Sequence, residues 1–441
     1  MTGELARRAR FMLVSDLDWT MVDHGDFNHA ALRAFNRLWV SAYAPDSLLV
    51  FSTGRSPPLF HELAAEVPLL APDILVCSVG TEILINGLPD EEWEAHLNEG
   101  WDRARAAACA AELPELTLQQ ESEQRPHKIS YKLRVNDPDR VLAALRASLA
   151  DAGVQTNVIY SGGEDLDILP SRASKGKALS FLLKQLDAGP GRPEAGVMVC
   201  GDSGNDVELF AVPGVHGCMV ANAHAELRQW CAANGHDKIF AATRDGPGGI
   251  LEALTNFSFL NPSPPDTVPR RQALVAQQEW AEEWVNGSVP RGAALVEKRM
   301  QAFAEKFEYV GASGTVQSRA QLAEWLTDKG HGCTAAGVAS ALAAAPPAVA
   351  EAAKAAAKAG AEPGAHSRMG GWLDRYSERQ LTHGLWLARW MELWQPFAAG
   401  KATAGARNAR WCSAVLRHQQ DGSYNFEYMH ESSVPRELAR A

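Results

Sequence analysis

No run of apolar residues in this 441-residue chain reaches the length of a membrane span. The longer ones, Ser47 to Ser52 and Ile74 to Val79, are strand-sized. The residues ahead of the first strand-like run, Met1 to Arg10, lack the apolar core of a secretory signal and are too short for a transit peptide. No C-x-x-C pair occurs among the seven cysteines (Cys77, Cys109, Cys200, Cys218, Cys231, Cys333 and Cys412), and some sit inside apolar runs, as in LVCSV and MVCGD. That pattern argues against a zinc site or a disulfide frame, and fits reduced, buried thiols in a cytoplasmic protein. Basic residues are in the minority too. A formal charge of −11 argues against bulk nucleic-acid binding, which needs a basic footprint.

What is present is ordinary in composition, with 46% hydrophobic and 22% charged residues, and too long for one core. Four short apolar runs stand out: Phe11 to Val14, Leu48 to Phe51, Ile74 to Cys77 and Val197 to Cys200. Continuous rather than alternating hydrophobicity is what a strand covered on both faces requires. Helix-like stretches, such as Asn28 to Tyr43 and Ser56 to Val67, lie between them. The alternation predicts an α/β domain with a doubly wound parallel sheet over 1–85 and 171–260. Each run ends in polar or glycine residues, and these converge if the sheet forms, because ligands of open α/β sheets sit beyond the carboxyl ends of the strands.

Between those halves, 86–170 reads as an inserted α/β cap. Lys128 to Val135 alternates with period two, and Gln155 to Leu169 reads as a hairpin about a glycine turn. Helical stretches fall near Glu92 to Ala111 and Pro138 to Asp151. A proline-rich linker after Leu260 opens a third region, 261–441, which holds eight of the thirteen tryptophans. Helical periodicity at Gln272 to Trp284 and Leu295 to Phe307, then strand-like segments at Gly384 to Trp394, Arg410 to Arg417 and Tyr424 to Tyr428, predict an α+β domain with a curved antiparallel sheet. The alanine-rich stretch at about 334–365 interrupts it as a solvated insertion.

Four short motifs carry chemistry. Asp16-Leu-Asp18-Trp-Thr20 directly follows a buried strand. Phosphoryl transfer to a carboxylate needs a nucleophile and a second group to protonate the leaving oxygen, and two aspartates two residues apart supply both. Alone, the motif serves equally as a surface acidic pair. Thr53-Gly54-Arg55 offers a hydroxyl and backbone N–H groups at a strand-to-helix turn, an anion site or a plain turn. Lys175 opens a helix, where the macrodipole disfavours a cation; a phosphate would resolve that, and so would solvation. Asp202-Ser-Gly-Asn205-Asp206 clusters carboxylates that repel unless a hard cation such as Mg²⁺ joins them. All four occur in order at strand ends or helix starts, and their coincidence favours a phosphatase.

These residues resemble the four motifs of the haloacid-dehalogenase superfamily. The resemblance implies Asp16 as nucleophile and Asp18 as general acid/base. It implies Thr53, Gly54 and Lys175 as the phosphate site, and Mg²⁺ held by Asp16, the Asp18 carbonyl and Asp202, with Asp206 and Asn205 supporting the metal waters. The wording of Val14 to His24, Asp46 to Pro57, Ser78 to Glu82, Val158 to Ser161 with Glu164 to Pro170, and Val199 to Asp206 is closer still to plant and cyanobacterial sucrose-phosphate phosphatases. That family's activity, the last step of sucrose synthesis, implies sucrose 6-phosphate as substrate. The C-terminal part resembles the extra domain of the plant enzymes, an α+β fold like nuclear transport factor two. It implies a homodimer through that domain, which the alanine-rich insertion interrupts.

Sugar selectivity falls to the cap, where Lys128, Ser130, Asp165 and Asp167 supply donors and acceptors. Asp167 is the sharpest candidate, sitting in the apolar run Leu-Asp-Ile-Leu, although the wet face of an alternating strand would place it as well. The tryptophan stripes Trp280/Trp284 and Trp386/Trp390/Trp394 read first as core. Two other functions stay open: a phosphatase of another sugar phosphate, such as a trehalose or mannosyl-glycerate phosphate, and a partner docking on a sucrose-phosphate synthase.

Overall fold

A computed structural model describes residues 8–26, 29–161, 163–235, 237–258, 268–285, 292–311, 315–330, 367–382, 385–398, 401–402, 408–421 and 423–433. The chain gathers into two compact units. The first holds Met1–His24, Asp46–Glu62 and Pro72–Leu260; the second holds Gly25–Pro45, Leu63–Ala71 and Asn261–Ala441.

In chain order the strands of the first unit are β1 (Phe11–Ser15), β2 (Ser47–Ser52), β3 (Ile74–Cys77), β4 (Glu82–Ile85), β5 (Leu88–Pro89), β6 (Leu116–Leu118), β7 (Ile129–Leu133), β8 (Thr156–Ser161), β9 (Asp165–Pro170), β10 (Gly196–Gly201), β11 (His216–Met219) and β12 (Ile239–Ala241). The main sheet runs β12-β11-β10-β1-β2-β3-β4-β5, parallel from β12 to β3 and antiparallel at β4 and β5. The four apolar runs are β1, β2, β3 and β10. Every residue of the first three is buried, and all of β10 but its first. Because β1 lies between β2 and β10, Asp16, Thr53 and Asp202 follow three neighbouring strands at one edge of the sheet.

The helix Lys175–Ala188 shows why this edge is fixed. Ser174 caps it by accepting from the Lys177 N–H at 3.1 Å. Its leucines 179, 182, 183 and 186 pack in one cluster with Met12, Val14, Val50 and Val199. Each buried leucine is worth about 1.5–3 kcal/mol. Nearby, Ser78, Val79 and Gly80 all have positive φ, at 53°, 58° and 88°. Only glycine serves at position 80, because a Cβ there would stand 2.3 Å from the Ser174 carbonyl oxygen.

The cap is a four-stranded antiparallel sheet, β6-β7-β9-β8. Pleating divides its residues: Ile129, Tyr131, Leu133, Leu166 and Ile168 join the helices Arg103–Ala111 and Pro138–Asp151 in a core of their own. Ser130, Lys132, Asp165 and Asp167 therefore share the opposite face. The helix Glu91–Asn98, drawn with the cap from the sequence, packs instead on the main core through Trp93 and Leu97.

In the second unit the helix Ala30–Leu38 lies with the helix Val268–Val285, although the sequence placed its segment with the phosphatase core. Arg33 pairs with Glu282 at 2.7 Å and Arg37 with Glu279 at 2.6 Å, which accounts for the difference. The strands here are β13 (Phe303–Val310), β14 (Val316–Ser318), β15 (Ser367–Thr382), β16 (Leu385–Ala398), β17 (Lys401–Ala402), β18 (Asn408–His418) and β19 (Tyr424–Ser433). Their order is β14-β13-β19-β18-β16-β15, with β17 on β16, and β13 runs parallel to β19 while the other pairs are antiparallel. This is the α+β class expected. The expected helix Leu295 to Phe307 ends at Met300, and Phe307 belongs to β13, where it packs against Phe303 at 4.7 Å between ring centroids. β15 was not anticipated from the sequence. The alanine-rich stretch and Cys333 lie outside the described residues, as does the Trp394 side chain. The six described cysteines are buried. No helix among the described residues is long and apolar enough to cross a membrane.

Candidate active site

Asp16 follows β1 with 5% of its surface exposed. Its N–H donates to the Cys200 carbonyl at 3.0 Å, tying it to β10. The Leu17 N–H (2.7 Å) and Lys175 Nζ (3.0 Å) both reach Asp16 Oδ1. No hydrogen bond reaches Oδ2 among the described residues. Lys175, with no exposed surface, also donates to Asp206 Oδ1 at 2.7 Å. The helix start that made this lysine unfavourable on paper thus sets it between two carboxylates.

Asp202 and Asp206 come from the turn after β10. Asp206 Oδ2 accepts from the backbone N–H groups of Asp202 and Ser203, each at 3.1 Å. A Cβ at Gly201 would stand 2.6 Å from the Asp206 side chain, so glycine is required for this turn to close. Thr20, the last residue of the first motif, donates its hydroxyl to Asp202 Oδ1 at 3.0 Å. Carboxylate oxygens of Asp16, Asp202 and Asp206 all lie within 4.8 Å of one another.

Three carboxylates and one ammonium leave this pocket two negative charges in excess. Burial pushes the Asp16 carboxyl well above its ordinary range; Asp206 adds to this and Lys175 opposes it. Burial, then the Asp206 charge, pushes Asp202 up to about 6. The buried Oδ1 of Asn205 has no hydrogen-bond partner among the described residues. An all-oxygen donor set, a deficit of positive charge and an orphaned acceptor fit a hard divalent cation.

Asp18 is placed differently. Its carboxylate takes a two-pronged bond from Arg55, with Nε and Nη2 each at 2.7 Å, and lies 2.8 Å from His24 Nε2. Burial pushes the Asp18 carboxyl up, but the hydrogen bonds from His24 and Arg55 outweigh it and hold it well below the usual carboxylate range. Its side chain is outside the three-carboxylate group; the sequence reading had assigned only its carbonyl to metal. Thr53 is fully buried at the end of neighbouring β2. Its N–H is taken by the Val76 carbonyl at 2.8 Å, and its hydroxyl oxygen accepts from the Arg55 N–H at 3.1 Å while keeping a hydrogen to donate.

The cap brings three of its four candidates together. Ser130 Oγ donates to Asp167 Oδ1 at 2.6 Å, and Lys128 Nζ stands 3.7 Å from the same oxygen. Lys128 Nζ also donates to the Gly54 carbonyl at 3.0 Å and pairs with Glu123. Asp167 is on the polar face of its strand yet only 7% exposed, so that face is not wet at this position. Asp165 stands apart, bonded to Lys132 (2.7 Å) and Gln119 (2.8 Å).

Sequence reasoning missed Glu123, which accepts from the Ser56 N–H at 3.1 Å, and the bidentate Arg125–Glu82 pair, both bonds 2.8 Å. The run Gln119 to Arg125 is polar throughout and gives no sign of burial. It also assigned no role to Arg55 and His24, although both stand in the quoted motifs.

A sequence model of the family "sucrose-6F-phosphate phosphohydrolase" matches residues 9–258. Sucrose-phosphatase 1 of Nicotiana tabacum is 49% identical over 271 residues, covering 60% of this chain and 63% of that enzyme. The chain thus spans less than two thirds of that relative's length. Mannosylfructose-phosphate phosphatase of Agrobacterium fabrum is 33% identical, over 57% of this chain and 98% of its own. The crystal structure of the sucrose-phosphatase from Synechocystis sp. PCC6803, solved in complex with sucrose and phosphate, superposes with a TM-score of 0.52 at 35% identity. It covers 57% of this chain and 98% of its own.

Proposed function

The chain belongs to the sucrose-6F-phosphate phosphohydrolase family, and on that premise we propose that it hydrolyses sucrose 6-phosphate to sucrose and phosphate through a phospho-aspartate on Asp16. One observation carries the reading: Asp16, Lys175, Asp202 and Asp206 converge from three separate sequence motifs into one buried group.

Asp16 Oδ1 is held by Leu17 and Lys175, which leaves Oδ2 to attack phosphorus. Lys175 neutralises charge on the phosphoryl oxygens, and the Thr53 hydroxyl and Gly54 N–H bind the same group. Asp18 gives a proton to the departing sugar oxygen, then takes one from the water that hydrolyses the phospho-aspartate. The carboxylate held by Arg55 and His24 is the form needed for the second step. The first needs the protonated acid, so the Arg55–Asp18 pair opens when substrate enters. Mg²⁺, held by Asp16, Asp202 and the Asp18 carbonyl with support from Asp206 and Asn205, supplies positive charge for the phosphate oxygens when bound.

None of this selects a sugar. The cap face with Lys128, Ser130 and Asp167 is the proposed selector, because Lys128 ties it to Gly54 in the anion turn. The buried cysteines of the first unit, Cys77, Cys109, Cys200, Cys218 and Cys231, support the cytoplasm as its compartment. A panel of sucrose 6-phosphate, mannosylfructose phosphate, trehalose 6-phosphate and glucose 6-phosphate, with and without Mg²⁺, tests the reading. Sucrose 6-phosphate leads in kcat/KM if it holds. The likeness to the Agrobacterium enzyme favours mannosylfructose phosphate as the second reading, and its leading the panel would replace the first. Co-sedimentation tests docking on a sucrose-phosphate synthase, and analytical ultracentrifugation tests pairing of two copies through 261–441.

A further inference from the structure

The turn from Thr53 to Ser56 leaves a core strand, yet side chains of the cap hold it. The core supplies part of its hydrogen bonding. The Thr53 N–H donates to the Val76 carbonyl at 2.8 Å, and the Thr53 carbonyl accepts from Val79 at 3.0 Å. The Arg55 carbonyl accepts from the Ser78 N–H at 2.9 Å. Two further groups of the turn go to the cap instead. The Gly54 carbonyl accepts from Lys128 Nζ at 3.0 Å, and the Ser56 N–H donates to Glu123 Oε1 at 3.1 Å. Lys128 also pairs with the other oxygen of Glu123, so one ion pair grips the turn at two points. Both partners are buried, Lys128 at 2% exposure and Glu123 at 6%. With so little water to compete, a charged donor bonds more strongly than a neutral one.

A single peptide carries this grip inward. The Gly54 carbonyl and the Arg55 N–H belong to one trans peptide and point in opposite directions. The Arg55 N–H donates to Thr53 Oγ1 at 3.1 Å. Lys128 at one end of the peptide therefore fixes a hydroxyl at the other. Having accepted one bond, that hydroxyl keeps its hydrogen to give. The Gly54 N–H has no hydrogen-bond partner among the described residues. A phosphoryl oxygen needs donors of this kind, set in place beforehand. Glycine on one side lets such a peptide turn over unless its carbonyl is held.

We propose that Lys128, with Glu123 behind it, is a positioning residue for the phosphate site: it fixes the Gly54–Arg55 peptide, and through it the Thr53 hydroxyl. This rests on the reading of Thr53 and Gly54 as phosphate ligands, and not on which sugar carries the phosphate. It is separate from sugar selection, since Lys128 is then needed for phosphate esters that have no sugar at all.

Equilibrium dialysis of the full chain against radiolabelled orthophosphate, with Mg²⁺ present, tests the site without a sugar. Kinetics on p-nitrophenyl phosphate add turnover. Lys128→Met removes the bond to Gly54. Lys132→Met makes the same exchange at an ion pair wholly within the cap, with Glu164 and Asp165 each at 2.7 Å. The expected result is a loss of at least tenfold in orthophosphate affinity and in kcat on p-nitrophenyl phosphate for Lys128→Met, with Lys132→Met within twofold of wild type. A merely structural role would lower the melting temperature and leave the affinity of the folded protein unchanged. The proposal alone is overturned if wild type and Lys128→Met bind orthophosphate equally, even where KM for sucrose 6-phosphate rises, or if Lys132→Met weakens binding as much. If wild type binds no orthophosphate, the phosphate site at Thr53 and Gly54 falls and the proposal with it. Should Lys128→Met fail to fold, Lys128→Gln, one atom shorter and uncharged, takes its place with the same expected loss.

Discussion

Lys175 sets its ammonium 3.0 Å from Asp16 Oδ1 with no part of its side chain exposed to water. The same ammonium reaches Asp206, so this lysine is the counter-charge of the buried acidic group. Lys175→Met therefore leaves three carboxylates facing one another. Breaking a buried ion pair from one side costs roughly 3–5 kcal/mol. Urea unfolding should show such a loss, and added Mg²⁺ should recover part of it. An unchanged midpoint would mean that Lys175 does not balance the group.

Asp202 has a cation to hold if the charge argument is right. Adding Mg²⁺ should raise the melting temperature of the wild-type protein, and chelation should abolish phosphate release. Asp202→Asn should remove the thermal response and raise the Mg²⁺ concentration needed for activity at least tenfold. A thermal response equal to that of wild type would take Asp202 out of the metal site.

Asp18 differs from Asp16 in what it contacts, and the two variants should differ in kind. Asp18→Asn removes proton transfer while keeping the nucleophile, so kcat should fall by about 10²–10⁴ with KM little changed. Steady-state kinetics on sucrose 6-phosphate reads this directly. A rise in KM with unchanged kcat would recast Asp18 as a binding residue.

The parallel core was legible because strands buried on both faces must be apolar throughout, and β1, β2, β3 and β10 read that way. The convergence of Asp16, Thr53 and Asp202 followed from their place after neighbouring strands. The cap side chains were harder. Asp165 and Asp167 look equivalent by alternation, yet only Asp167 lies near Lys128, while Asp165 is taken by Lys132 and Gln119. Glu123 is held at its buried place by a long-range contact with Ser56 as well as by nearby Lys128, and no local pattern announces the first. Phe307 kept a helical period on paper but was drawn into β13 by its pairing with β19.

The two cap aspartates give a paired test of the selector. Asp167→Asn should raise KM for sucrose 6-phosphate about tenfold while sparing the small substrate p-nitrophenyl phosphate; Asp165→Asn should leave both unchanged. Equal effects of the two on KM would spread selectivity over the whole polar face.

Glu123 makes the cap sensitive to acid. Burial pushes its carboxyl up, but Lys128 and the Ser56 N–H outweigh that and hold it below its ordinary value of 4.5. Its stabilising contribution is therefore complete above that pH and is lost as pH falls through the lower folded value. Glu123→Gln should lower the melting temperature at pH 7 and narrow the gap to wild type as the pH falls below 4.5. A gap that stays constant with pH would show that the carboxylate charge is not what stabilises the cap.

The central claim is a covalent bond between phosphorus and Asp16. Acid-quenching the enzyme during turnover of sucrose 6-phosphate, reducing with borohydride and sequencing the peptides by mass spectrometry tests it most directly, since borohydride converts an acyl phosphate of aspartate to homoserine. The account predicts homoserine at position 16 and nowhere else, present only when substrate was added. Unmodified Asp16 from an enzyme that is turning over, or full activity in Asp16→Asn, would contradict it.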